Sequence, residues 1–203
     1  MNHQPDQSDP GPGRYLDLPV GQFLAAVSAP TPDPGGGAVA ALAVTLAASL
    51  CAMTASLSTR QLTGPGPDAA ALARRACELR DQAAPLAQAD ADGYRAVLAA
   101  SRAGDGPAIR AALSAASDVP VRVAEIAVAV AGIAATVAAS GNPAVRGDAA
   151  AAALLASAGA QSAALLVQIN LAGLAGDGRP GHAAQLAAET TRLAGTAQLT
   201  PPG

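Results

Sequence analysis

Fifty-seven of the 203 residues are alanine, and none is lysine or tryptophan. Alanine is the strongest helix former because it loses no side-chain entropy in a helix. Valine, isoleucine and the aromatics, which favour strands, are too sparse for a large sheet, with one Phe and two Tyr in the chain. The sequence therefore predicts an all-α protein, a compact Ala-rich helical bundle of about five to six helices. Small side chains let helices approach closely but bury little apolar area each. A second copy of the chain is a common way to bury more, so a homodimer is expected.

Charge excludes several classes. Twelve basic residues, all arginine, face fifteen acidic ones for a net charge of -3. The arginines are scattered, and no basic stripe is available to neutralise phosphates. With so few aromatics, stacking on bases is also excluded, so no nucleic acid is expected as a partner. Cys51 and Cys77 form neither a disulfide framework nor a CxxC pair. The opening MNHQPDQSDPGPG is polar and Pro/Gly-rich, without the apolar core of a secretory signal, and a cytoplasmic location is expected. Residues 34–59, 126–145 and 149–176 carry no charge and are long enough to span a bilayer. They are built on Ala, Gly, Ser and Thr, with Gln161, Gln168 and Asn170 in the last, and hold few of the residues that drive insertion. They are read as buried bundle helices, with no membrane partner.

Prolines and glycines punctuate the chain. Residues 1–16 read as a disordered arm, 17–196 as one helical domain and 197–203 as a tail. A short helix capped by Asp17 is expected before Pro30, then a break over PTPDPGGG at 30–37 and a second helix over 38–59. Asp68 caps a long third helix to about 103, kinked or split at Pro85. A fourth helix is expected from Pro107 to 139, bent at Pro120. A fifth runs from Gly147 or Asp148 to about 174, and a short last one over 182–194.

Few residues could carry chemistry. Gly35, Gly36 and Gly37 leave bare backbone N–H groups at the positive end of a helix, suited to an anion or the close approach of a flat ligand; they serve equally as a cap for tight helix packing. In DADGY at 90–94, Asp90 and Tyr94 share a mostly apolar helix face with Leu86 and Val97. A carboxylate there has its pKa raised, which suits proton transfer near neutral pH, though a structural hydrogen bond accounts for it as well. Asp92 pairs with Arg95, and Arg122 with Glu125, at i, i+3 spacing. Asn142 and Asp148 flank a helix start, Asp148 as its N-cap. Gln168 and Asn170 need a partner or a ligand inside an apolar helix. His3 and His182 have no metal-ligand spacing to other residues, and no metal is expected.

Taken in order, these pieces resemble a known family. LPVGQFLAAVS at 18–28, PTP at 30–32 and PGGGAVAAL at 34–42 resemble the opening of the cyclodeaminase/cyclohydrolase family. DADGY at 90–94, VPV at 119–121 with Ala124-Glu125, GNP at 141–143 with Gly147-Asp148-Ala149, and INL at 169–171 follow in that family's order. The resemblance spans about residues 17–178. It implies an all-helical homodimer with a folate site near the glycine turn. The implied chemistry lies at the one-carbon bridge of tetrahydrofolate: hydrolysis of 5,10-methenyl-tetrahydrofolate to 10-formyl-tetrahydrofolate, or cyclisation of 5-formimino-tetrahydrofolate with loss of ammonia. The tetrahydrofolate derivative is the substrate, and no cofactor is implied. Asp90 is the implied acid/base, with Tyr94 orienting it; Asp148, grouped with them as catalytic, is with Asn142 and Asn170 an implied hydrogen-bond partner for the pterin or for ordering water, and Gly35, Gly36, Gly37, Asn142, Asn170 and Arg60 are the implied substrate contacts. The chain departs from the family's pattern at 58–64, where Arg60 alone replaces a Lys-rich stretch. It departs also at Gly147, which stands for a serine, and at Leu166, which stands for an asparagine. A catalytically silent folate-binding or helical interaction module is the alternative that these departures leave open.

Overall fold

The computed structural model describes residues 15–63, 66 and 68–199. Among them are eight α-helices and no strands: α1 Val20–Ser28, α2 Gly36–Ser56, α3 Ala69–Ala83, α4 Leu86–Ala103, α5 Gly106–Ala116, α6 Asp118–Ser140, α7 Arg146–Leu171 and α8 Arg179–Leu199. Short 3-10 turns at Tyr15–Asp17 and Pro143–Val145 precede α1 and α7. The all-α bundle expected from the alanine content is what the chain forms.

α6 and α7 make the most extensive contact; α2 lies along α7, α8 packs against both α6 and α7, and α3 covers α2. The core is correspondingly small-grained: Ala38, Ala41, Ala47 and Ala48 of α2 and Ala152, Ala153, Ala156 and Ala160 of α7 are fully buried. Val44, Leu79, Ile126, Val130 and Val167 supply the bulk. The α2–α7 approach is close enough to require glycine, since a Cβ on Gly159 would lie 2.6 Å from Val44 Cγ2 and 3.1 Å from the Ala40 carbonyl oxygen.

That contact fixes the register. Ala40 and Val44 lie opposite Gly159, and at the far end of α2 the Ser58 hydroxyl accepts a hydrogen bond from the Asn142 N–H at 2.9 Å. The Asn142 side chain also donates to the Leu57 carbonyl at 3.0 Å. The two helices are therefore antiparallel, with the start of α2 beside the end of α7. Their outer face is rich in exposed apolar side chains: Val39, Leu46 and Met53 of α2, Leu57 just past its end, and Leu154, Leu155, Leu165 and Ile169 of α7.

Several boundaries differ from expectation. The third helix does split, because Pro85 has no N–H for the Asp81 carbonyl; α3 is capped by Asp68, whose Oδ1 accepts from the Ala71 N–H at 2.6 Å. The expected bent helix over 107–139 is two helices. The chain breaks at Ser117, whose hydroxyl donates to the Leu113 carbonyl at 2.8 Å, and Pro120 falls in the first turn of α6, where a missing N–H costs nothing. Asp17 does not cap α1, which starts at Val20 after Pro19. Asp148 is not an N-cap either: α7 starts two residues earlier, off a turn capped by the Asn142 side chain, which accepts from the Ala144 N–H at 3.0 Å. α8 begins earlier and runs further than 182–194, started by Asp177, which accepts from the Arg179 N–H at 2.9 Å and pairs with its guanidinium. The expected arm and tail fall mostly outside the described residues; within the arm, Tyr15 packs edge-on against Phe23 with ring centroids 5.8 Å apart.

Three helical stretches, Gly36–Ser56, Gly106–Ser140 and Pro143–Leu171, are long and apolar enough by length and composition to cross a membrane. Half or slightly more of each apolar window is buried inside the bundle.

Candidate active site

The first turn of any α-helix has backbone N–H groups without intrahelical partners. In α2 these follow Gly35, the N-cap, and no side chain of that segment covers them. Asp90, in the second turn of α4, fills the position instead: its carboxylate accepts a hydrogen bond from the Ala38 N–H. Gly37 makes this possible, because a Cβ there would lie 2.0 Å from Asp90 Oδ1 and 2.3 Å from its carboxyl carbon. Two effects compete on this carboxyl. The Ala38 N–H favours the ionised form and burial disfavours it; burial is the larger, so the Asp90 pKa is raised above its ordinary value.

Asp90 faces a cavity of about 290 Å³. Gly35, Gly36 and Gly37 form one side, and Asp90, Tyr94 and Val97 of α4 another. Leu113 and Ala116 of α5 and Leu166, Ile169 and Asn170 of α7 complete an apolar wall, with Pro32 and Asp33 at the mouth. Arg95 bridges that mouth: Nη1 donates to Asp33 Oδ2 at 2.6 Å and Nη2 to Asp92 Oδ1. The Tyr15 phenol stands close enough that burial, then the Asp33 charge, raise its pKa.

Six of the residues singled out from sequence thus share one cavity: Gly35, Gly36, Gly37, Asp90, Tyr94 and Asn170. Tyr94 is 43% exposed and no hydrogen bond joins its hydroxyl to Asp90, so it offers the cavity a ring and does not orient the carboxylate. Asn142, Asp148 and Arg60 are not part of this cavity. They lie at the other end of α2 and α7, about 30 Å away by the helical rise over 21 residues. Gln168 is exposed. Arg122 holds Glu125 at 2.9 Å and Gln82 at 2.7 Å, away from the cavity. Cys51 is buried with its thiol pushed up to about 12, which leaves it a small core residue and no nucleophile. Among the described residues no cluster of His, Cys, Asp or Glu could hold a metal.

Sequence reasoning missed Asp33 and Leu113, and took Ile169 only as part of the INL motif. Nothing local marks Leu113, which reaches the cavity only because α5 packs against both α4 and α7. Asp33 was visible inside the Pro/Gly-rich break but had no helical period to place it.

A helical bundle whose glycine-rich helix start receives a half-buried carboxylate from a neighbouring helix is the arrangement that the PGGG, DADGY and INL motifs bring together. The chain belongs to the formiminotransferase-cyclodeaminase family, whose model matches residues 19–189. It is 31% identical over 163 residues to a methenyltetrahydrofolate cyclohydrolase of Methylorubrum extorquens, covering 75% of this chain and 78% of that protein. Its fold matches the crystal structure of formiminotetrahydrofolate cyclodeaminase from Thermotoga maritima with a TM-score of 0.76 at 25% identity, over 90% of this chain and 93% of the other. The expectation of a folate one-carbon enzyme of the cyclohydrolase/cyclodeaminase type is borne out at the level of the family.

Proposed function

We propose that this chain hydrolyses 5,10-methenyl-tetrahydrofolate to 10-formyl-tetrahydrofolate, with Asp90 as the acid/base. The observation that carries the reading is the Asp90 carboxyl, half-buried at the wall of an apolar cavity and seated on the Ala38 N–H. The methenyl bridge is a cation. Asp90 takes a proton from the water that attacks the bridge carbon, giving a neutral tetrahedral carbon between N5 and N10. The carboxyl returns that proton to N5 as the C–N5 bond breaks, and the hydroxyl proton is released as the formyl C=O forms. The balance is one cation and one water in, one neutral formyl product and one proton out. Only proton transfer and charge stabilisation are needed, so the folate is substrate and no cofactor is invoked. Tyr94 and Ile169 offer flat and apolar surface to the pterin ring, and Asn170 a hydrogen-bonding amide. The same carboxyl, protonated, would deliver a proton to a leaving amine, which is the cyclodeaminase reaction named for the Thermotoga maritima relative.

The protein is further read as a cytoplasmic homodimer formed through the apolar outer face of α2 and α7. Two helices of 21 and 26 residues, about 30–40 Å long and about 10 Å apart, offer on the order of 600 Å² or more per copy, near the usual share of a stable interface. With the two-fold axis running across these helices, the end of one copy that carries Arg60, Asn142 and Asp148 meets the Asp90 end of the other. That arrangement reconciles the roles the family resemblance implies for these residues with their distance from Asp90 in one chain.

The test is the near-ultraviolet methenyl absorbance, followed with purified protein against a protein-free blank and with the product identified by chromatography. Faster loss of the band with formation of 10-formyl-tetrahydrofolate supports the reading. If the band appears only from 5-formimino-tetrahydrofolate, the chain is a cyclodeaminase. Binding of either folate without turnover assigns it to the silent alternative.

A further inference from the structure

The mouth of the Asp90 cavity holds a second carboxylate. Asp33 comes from the Pro-rich turn between α1 and α2, lines the cavity, and has a side chain only 20% exposed. Its Oδ2 accepts from Arg95 at 2.6 Å, while its Oδ1 has no donor among the described residues. The other arm of the Arg95 guanidinium is taken by Asp92, which also accepts from Gln88 Nε2 at 3.1 Å. Arg95 is therefore a strut with two consequences. It ties the turn that carries Asp33 and the three glycines to the helix that carries Asp90 and Tyr94. It is also committed to two carboxylates, so the cluster of Asp33, Arg95 and Asp92 is net negative, and Asp33 is its member that lines the cavity.

We propose that Asp33 contacts the substrate and recognises the positive charge of its one-carbon bridge, with Arg95 as the positioning residue that holds Asp33 in place. The ligand class is a flat heterocycle carrying a delocalised amidinium cation. This rests on the folate reading above and divides the labour between two carboxylates: Asp90 moves the proton, and Asp33 favours the cationic over the neutral form of the ligand. A carboxylate opposite a cation in a partly buried site contributes directly to discrimination between ligands that differ by that charge.

The test measures binding of two folates, cationic 5,10-methenyl-tetrahydrofolate and neutral 5-formyl-tetrahydrofolate, in an Asp90→Asn background that prevents turnover. Both ligands carry the same glutamate carboxylates and differ only at the one-carbon unit, closed and cationic in one and open and neutral in the other. Asp33→Asn is expected to weaken the methenyl ligand about tenfold and to change the formyl ligand less than about twofold. Arg95→Lys keeps a cation beside Asp33 and is expected to retain the preference. In the otherwise unsubstituted enzyme, Asp33→Asn raises KM and leaves kcat near the original. Equal weakening of both ligands would mean that Asp33 only shapes the turn, and unchanged binding of both would remove it from the site; either overturns the proposal while the function stands. Failure of both folates to bind the unsubstituted protein overturns the function and this inference together.

Discussion

Replacing Gly37 by alanine separates the geometry of the site from its chemistry. The new Cβ would sit 2.0 Å from Asp90 Oδ1 and 2.4 Å from Oδ2, far inside any tolerable contact. The side chain of Asp90 must swing away, since α2 is held by its packing against α7. The carboxylate then loses the Ala38 N–H, a charge-assisted bond typically worth about 1.5–3 kcal/mol. Alanine regains part of that through helix propensity, about 1 kcal/mol. The net loss of stability is therefore about 0.5–2 kcal/mol, from those two ranges. The loss of activity is larger, because moving a reacting group by about 1 Å costs about a hundredfold in rate. Gly132→Ala, in α6 and outside the cavity, is the control, because nothing lies within 4 Å of a Cβ there. Steady-state turnover of 5,10-methenyl-tetrahydrofolate, with thermal melts of both variants, reads the result. A Gly37→Ala protein with unchanged kcat would refute the claim that the seating of Asp90 on α2 matters to the reaction.

Other expectations follow from the same coordinates. Asp90→Asn should lose turnover and gain stability at neutral pH. The folded-state pKa of Asp90 is raised, so the folded protein binds its proton more tightly than the unfolded chain, and stability falls as pH rises from the unfolded through the folded value. Melting temperatures of the two proteins should differ most at neutral pH and converge towards about pH 4, the ordinary carboxylate range; a lower Tm for Asp90→Asn at neutral pH would contradict this. Gly159→Val should destabilise by about 3 kcal/mol or prevent folding, because its first atom already lies 2.6 Å from Val44 Cγ2; chemical denaturation checks it. A Leu46→Glu, Leu165→Glu double variant places charges on the outer face of α2 and α7, where both residues are exposed. It should sediment as a folded monomer if that face joins two copies, and an unchanged sedimentation coefficient relative to a dimeric parent would move the interface elsewhere.

Much of this was legible in the chain. Alanine content and the Pro/Gly breaks located the helices, and the i, i+4 spacing of Asp90 and Tyr94 put both on one cavity-facing side with Val97. The break at Ser117 was misplaced onto Pro120 because a proline in a first turn and a proline in a kink look alike in sequence. The role of Gly37 could be suspected from the glycine run, but that its missing side chain makes room for Asp90, 53 positions away, is a property of how α4 packs on α2. Asp33 was hidden for a related reason. Its partner Arg95 looked satisfied locally by Asp92 three residues before it, and the bridge across to the turn exists only in the folded chain. The family motifs also grouped Asn142 and Asp148 with Asp90, yet the antiparallel run of α2 and α7 puts them at opposite ends of one chain.

The most direct test of the central claim compares wild type and Asp90→Asn for turnover and for folate binding in the same preparation. Asp90 as the proton-transferring group predicts that the variant still binds 5,10-methenyl-tetrahydrofolate but converts it at least about a hundredfold more slowly, the usual scale for removing a general acid/base. A well-folded Asp90→Asn protein that turns over the folate at the wild-type rate would contradict it.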